Sequence, residues 1–308
     1  MRPLWLHGAV DALAMWIEDL RRRPAVPFVA AAREPLDCFG PLPPLPASPT
    51  GPTFLAPSPR PAQGDSTIQV EVTAAKGRRR GTAILVPPWK LPRLSLLSGF
   101  TSSLARSGNE VWTLVPPRHL RRSPPGVRSG EAFVTPDLPA LRAAVEQLVV
   151  EIRTLLALAR VRGEPVALLG LSLGGLGAAL AATAPEAPDR VALVAPPADL
   201  HAVALETRIG RRLFALPRRA GQPVPAAAEL AAMLWPFRAG GRPPRAGRVL
   251  VAVGSADSIA PPAAATALAR SWGAELRVYP RGHLTLIFLC AALRRDVVAF
   301  LSPPAPLG

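Results

Sequence analysis

Short apolar runs alternate along this chain with amphipathic or alanine-rich stretches, and that rhythm predicts a mostly parallel sheet with helices on both faces. Thr67-Ile68-Gln69-Val70-Glu71-Val72 alternates apolar and polar residues and reads as a half-buried edge strand. The runs Thr82–Val86, Val111–Val115, Val166–Leu169, Val191–Val194, Arg248–Val253 and Glu275–Tyr279 read as further strands, several of them apolar throughout, as strands covered on both faces are. Between them the pattern predicts helices near Ser95–Ser107, Asp137–Arg162, Ala178–Ala184 and Pro262–Trp272, and one apolar helix from Leu284 to Phe300. A long loop is expected from Pro116 to Pro136.

Two segments stand outside this rhythm. Leu4 to Leu20 places Trp5, Leu13, Trp16, Ile17 and Leu20 in an amphipathic pattern, expected to be a docking helix, although two tryptophans also suit a membrane interface. From Pro35 to Pro61 proline is dense, which predicts an extended arm without lasting regular hydrogen bonding. Residues 1–65 are thus expected to be a helix and arm preceding a main α/β domain over 66–302.

The stretch Leu169-Gly170-Leu171-Ser172-Leu173-Gly174-Gly175 reads as strand, tight turn and helix, with a serine at the bend. Glycines two positions either side of Ser172 leave room for a turn that lifts the hydroxyl above the strand end and aims the first helix amides at the space over it. A phosphate cradle is excluded, because Leu176 stands where a P-loop has its lysine. This G-x-S-x-G turn resembles the nucleophile elbow of the α/β-hydrolase superfamily, a likeness that extends over roughly Thr67 to Leu301.

The resemblance implies an acid and then a histidine downstream of the serine. Asp257 lies in the polar loop after Arg248–Val253, and His283 follows Pro280-Arg281-Gly282 after the strand ending at Tyr279. A serine hydroxyl needs an imidazole to take its proton, and the imidazole needs a carboxylate to fix its tautomer. Asp199, after Val191–Val194, is the competing acid. Of the other histidines, His7 precedes the sheet, His119 sits in the arginine-rich loop and His201 comes before the last two strands.

Two backbone amides are expected to hold the oxyanion, one of them that of Leu173. The second is expected from the loop after Thr82–Val86, which reads Pro87-Pro88-Trp89-Lys90 and departs from the superfamily's usual His-Gly. Proline has no N–H, so the Trp89 amide is the candidate and Lys90 the fallback, with the indole either lining an acyl pocket or packing beneath the loop. Pro-Pro-Trp is also similar to polyhydroxyalkanoate synthases, which share the fold but use cysteine where this elbow has Ser172. The resemblance further implies a lid-like insertion at about 199–245 that shapes substrate choice.

Composition adds less. A length of 308 residues and an apolar share of 49% suffice for one large core, and Cys38 and Cys290 read as buried free thiols. The formal charge of +15 comes almost wholly from arginine, Lys76 and Lys90 being the only lysines, and reads as compositional bias. No motif or interleaved aromatics point to nucleic acid. Arg21-Arg22-Arg23, Arg78-Arg79-Arg80, Arg118 to Arg122, and Arg211-Arg212 with Arg218-Arg219 could attract anionic lipid or an acidic substrate. No secretory signal or membrane span is legible, and a cytoplasmic location is expected. The sequence therefore points to a serine hydrolase, of esterase, lipase or thioesterase type. It would cleave a small-molecule ester or thioester of a lipophilic acyl group through an acyl-enzyme, with no cofactor and no metal. Acyl transfer by the same three residues, or a non-catalytic binding protein of this fold, are the alternatives.

Overall fold

The computed structural model describes residues 4–20, 26–31, 33–62, 64–219, 221, 223 and 225–303, without the side chains of 4–5, 15–20 and 214–219. Its strands are β1 (Thr53–Ala62), β2 (Asp65–Thr73), β3 (Gly81–Val86), β4 (Asn109–Val115), β5 (Val166–Leu171), β6 (Arg190–Val194), β7 (Arg248–Gly254) and β8 (Glu275–Tyr279). They form one sheet in the order β1-β2-β4-β3-β5-β6-β7-β8. β1, β2 and β4 are joined antiparallel, and all pairs from β4 to β8 are parallel. The helices are α1 (Leu4–Leu20), α2 (Ser98–Arg106), α3 (Leu138–Arg160), α4 (Leu173–Ala181), α5 (Leu200–Glu206), α6 (Arg208–Arg219), α7 (Ala227–Leu234), α8 (Pro262–Ser271), α9 (His283–Leu289) and α10 (Ala291–Leu301).

Side chains of the central strands alternate between two apolar layers, as the pleat requires. Ile84, Leu168, Leu193 and Val251 pack with α3, α4 and α8 on one face. Leu85, Leu169, Ala192 and Ala252 pack with α2, α9 and α10 on the other. Every residue of β3 and β5 is buried, which puts the carboxyl end of β5 in the middle of the molecule.

The structure corrects the sequence reading at several elements. The proline-dense arm contains β1, which covers β2, so β2 is not the edge strand. The bond from Val72 N–H to the Pro52 carbonyl, 2.8 Å, turns even-numbered backbone groups of this segment toward β2. Pro57 then lacks an N–H on the outer edge, where no ladder bond is lost, and Pro59 and Pro61 fall in the irregular stretch between Pro57 and Ala62, where the register shifts. The expected apolar helix from Leu284 to Phe300 is two helices. Cys290 breaks it in an extended conformation, its Sγ accepting the Leu293 N–H. Leu13, expected on the docking face of α1, is 56% exposed, whereas His7 and Asp11 are buried. The side chains of Trp5, Trp16, Ile17 and Leu20 lie outside the described residues.

Several arginines are spent inside the molecule. Arg153 of α3 is 1% exposed and donates to the Gly40 carbonyl, to the Cys38 carbonyl and to Glu186. Arg142 donates to the carbonyls of Glu34 and Pro35. Carbonyls of an arm that has few sheet partners are satisfied this way, which fastens residues 34–40 along α3. Arg122 is buried between Asp65 and Glu151. Arg21-Arg22-Arg23 and the side chains of Arg218 and Arg219 lie outside the described residues. Among those described, both cysteines are free and buried, and no helix is long and apolar enough to cross a membrane.

Candidate active site

The turn between β5 and α4 is built by exclusion. A Cβ on Gly170 would stand 2.5 Å from the Gly174 carbonyl oxygen and 2.6 Å from the Ala178 Cβ. One on Gly174 would stand 2.2 Å from the Val86 carbonyl oxygen and 2.6 Å from that of Pro87. The chain can therefore turn this sharply only with glycine at both places. Ser172 between them has φ 51° and ψ −116°, a conformation that side-chain-bearing residues seldom adopt. It is held there by its N–H to the Val194 carbonyl of β6, 2.9 Å.

His283 follows β8, and its Nε2 lies 2.8 Å from Ser172 Oγ. Its Nδ1 lies 2.7 Å from Asp257 Oδ2, in the loop after β7. Asp257 is fixed in turn, its Oδ1 accepting the N–H groups of Ile259 at 2.9 Å and Ala260 at 2.8 Å. Three residues far apart in sequence thus form one hydrogen-bonded chain at the carboxyl end of the sheet. All three are nearly buried. Burial by itself would push the His283 pKa down. The charge of Asp257, its hydrogen bond and the charge of Asp11 outweigh burial and raise it above the ordinary histidine value.

Asp199 is not part of this chain. It caps α5, accepting the N–H groups of His201 and Ala202, and pairs with Arg238 at 3.2 Å. His7 Nε2 lies 3.3 Å from Arg281 Nη1. His119 donates from Nδ1 to the Pro117 carbonyl, 2.8 Å, with Nε2 buried and unpartnered among the described residues. Burial pushes the His119 pKa down to about 4.

The loop carrying Pro87 presses directly on the elbow, as the Gly174 contacts show. The Trp89 indole donates its N–H to the Gly130 carbonyl, 2.6 Å, with the Lys90 ammonium 4.8 Å from the ring centre. It packs against the core and ties this loop to residue 130. An apolar cavity reaches the elbow at Leu173 and is lined also by Leu176, Val203, Ile209, Leu213 and Leu234 among others, so its walls come from α4, from α5 to α7, and from α3 with the loop before it. The indole is not among its lining residues.

No family model matches the chain, and no curated protein matches it in sequence. Solved structures match its fold. An acetyl xylan esterase from Paenibacillus sp. R4 aligns with 96% of this chain and 94% of its own at a TM-score of 0.58 and 16% identity. A soluble variant of monoglyceride lipase from Saccharomyces cerevisiae, in complex with a substrate analog, aligns with 85% and 100% at 0.55 and 14% identity. A monoacylglycerol lipase from Paleococcus ferrophilus aligns with 76% and 98% at 0.53 and 19% identity. The chain has the α/β-hydrolase fold. In this α/β-hydrolase fold the Ser172 turn occupies the end of a central strand, with the segment from α5 to α7 inserted between β6 and β7.

The residue that sequence reasoning missed is Asp11. Its carboxylate accepts the backbone N–H of His283 at 2.6 Å and of Leu284 at 3.0 Å, and it is fully buried. The sequence offers one signal: His7 and Asp11 are four apart, so they put two polar side chains on one helix face.

Proposed function

We propose that this protein is a serine hydrolase acting on a carboxylic ester or thioester through an acyl-enzyme. The observation that carries the reading is the hydrogen-bonded run from Ser172 Oγ through both ring nitrogens of His283 to Asp257, at 2.8 and 2.7 Å. In this reading Ser172 Oγ attacks the carbonyl carbon as its proton passes to His283 Nε2. Asp257 keeps Nδ1 protonated and stabilises the imidazolium that forms. The tetrahedral intermediate collapses, the carbon–heteroatom bond breaks, and the alcohol or thiol leaves with the proton from Nε2. Water then repeats the sequence on the acyl-serine, releasing the carboxylic acid and restoring Ser172.

The oxyanion falls to backbone donors. Leu173 opens α4, where the first N–H groups have no acceptor within the helix. The Trp89 amide is the second donor, supported by the contact of its loop with Gly174. The apolar cavity beside Leu173, about 60 Å³, has room for the first methylenes of a lipophilic acyl group, and α5 to α7 then act as a lid over it. Lipase and esterase in the names of the fold neighbours agree with an ester as substrate.

A fluorophosphonate probe tests this directly. The wild type is expected to be labelled and Ser172→Ala not; a wild type that resists labelling, with no turnover of activated esters, makes the protein a non-catalytic member of the fold.

A further inference from the structure

The N-terminal helix is the part of the molecule that the reading above leaves without a role, and it touches the site at its most sensitive point. Asp11 meets His283 across a separation of 272 residues. Its Oδ2 takes the N–H of His283 and its Oδ1 that of Leu284, the first two amides of α9. Neither amide has an acceptor inside its own helix. Gly282 just before them donates to Thr285 Oγ1 at 3.0 Å. The backbone of the histidine is therefore held on both sides while Ser172 and Asp257 hold its ring.

The seat is shaped for α1. A Cβ on Gly282 would stand 2.5 Å from the His7 carbonyl oxygen and 2.6 Å from Asp11 Oδ2, so the loop before His283 closes on α1 only because that position is glycine. Asp11 is 0% exposed. Enclosing a carboxylate there is costly, since burial disfavours its charge and Asp257 repels it. A serine or asparagine could accept one of these amides at lower cost, but only a carboxylate offers an oxygen to each. The charge finds its use when His283 becomes cationic, which in the proposed reaction happens as Ser172 attacks. Among the described residues, the other charged or titratable neighbours are His7 on α1 and Arg281 beside Gly282, which lie 3.3 Å apart.

We propose that Asp11 is a positioning residue for His283: it fixes the histidine backbone through two amides and places a second negative charge, besides Asp257, near the imidazolium. This makes α1 a working part of the site. The proposal rests on the serine-hydrolase reading, and its test separates the two.

Full-length wild type and Asp11→Asn are compared for kcat and KM on a short p-nitrophenyl ester across a pH range, for melting temperature, and for the imidazole titration of His283 by NMR. Asn keeps one of the two acceptor oxygens, removes the charge, and sets its NH2 against the other backbone N–H. The expected result is a kcat lowered roughly tenfold, the scale of one lost charge-assisted hydrogen bond, with KM little changed. The acid limb of the pH profile should move to lower pH, because an imidazolium with one anion fewer loses its proton more readily. Asp11→Ser carries the same expectation and serves if the Asn variant does not fold. Wild-type kcat with an unmoved limb overturns the proposal, as does a lowered rate with an unmoved limb, which marks Asp11 as structural support alone. If the wild type neither turns over esters nor takes the probe, the hydrolase reading falls. The NMR titration then decides: a lower His283 pKa in the variant upholds the contact, and an equal one overturns it.

Discussion

Gly174 lies against the carbonyl of Val86 so closely that a Cβ on it would stand 2.2 Å from that oxygen. The contact ties the Ser172 turn to the loop after β3, and both obstructing atoms, Val86 O and Pro87 O, are backbone. Gly174→Ala is therefore expected to lower stability by about 2 kcal/mol and the fluorophosphonate labelling rate by at least roughly tenfold. Gly175→Ala is the comparison, since its nearest obstruction is the Pro196 side chain at 3.0 Å. Urea unfolding and labelling kinetics on both variants check the order; equal losses would show that the β3 loop is not the constraint.

The same loop carries Trp89. Trp89→Phe keeps the amide and loses the indole bond to Gly130, so it is expected to cost about 1 kcal/mol of stability and little activity. Trp89→Pro removes the amide and should cost roughly a hundred- to thousandfold in kcat, the usual price of one oxyanion donor. Steady-state kinetics on folded protein decides, and a Phe variant as damaged as the Pro variant rules the amide out.

Val203 contributes α5 to the wall of the apolar cavity beside Leu173. Val203→Trp fills that space. Its kcat/KM should fall roughly tenfold on a long-chain ester and stay within about twofold on an acetate ester. A matched set of p-nitrophenyl esters makes the measurement, and equal effects on both would place the acyl group elsewhere.

His119 links stability to pH. Its pKa is lowered to about 4 in the fold, from 6.5 in an exposed histidine. Between those values the unfolded chain binds the proton and the folded one does not, so stability falls as the pH drops through this window. At pH 5 the loss relative to neutral pH is about 2 kcal/mol. His283, whose pKa is raised, acts in the opposite sense, so the comparison must be with His119→Gln at the same pH values. Wild type should lose about 2 kcal/mol more than His119→Gln between neutral pH and pH 5 in urea unfolding. Parallel losses would mean that His119 is protonated in the fold.

Much of this molecule was legible in one dimension because its signals are local. Apolar runs such as Val166–Leu169 mark strands covered on both faces, and the spacing of Gly170, Ser172 and Gly174 reflects steric demands that act within a few residues. Even so, the elements were wrong where a neighbour supplies the missing term. Proline density argues against a strand, yet β1 forms because β2 offers a partner on the side where Pro57 needs none, and the register shifts where Pro59 and Pro61 follow. The apolar run after His283 carries no breaker residue, and its division at Cys290 shows only in the fold, where the Cys290 Sγ caps the second helix.

By itself the sequence determined the alternation of strands and helices from β2 to β8, the sharp turn at Ser172, and a short choice of partners in which Asp257 and Asp199 both followed a strand. Only the tertiary structure decided between them. The loops after β7 and β8 converge on the end of β5 and bring Asp257 within 2.7 Å of His283, while Asp199 is committed to capping α5 and to Arg238. The tie between Asp11 and His283 belongs wholly to the fold. It joins two points 272 residues apart, and no local pattern records which distant backbone amides a buried carboxylate will meet.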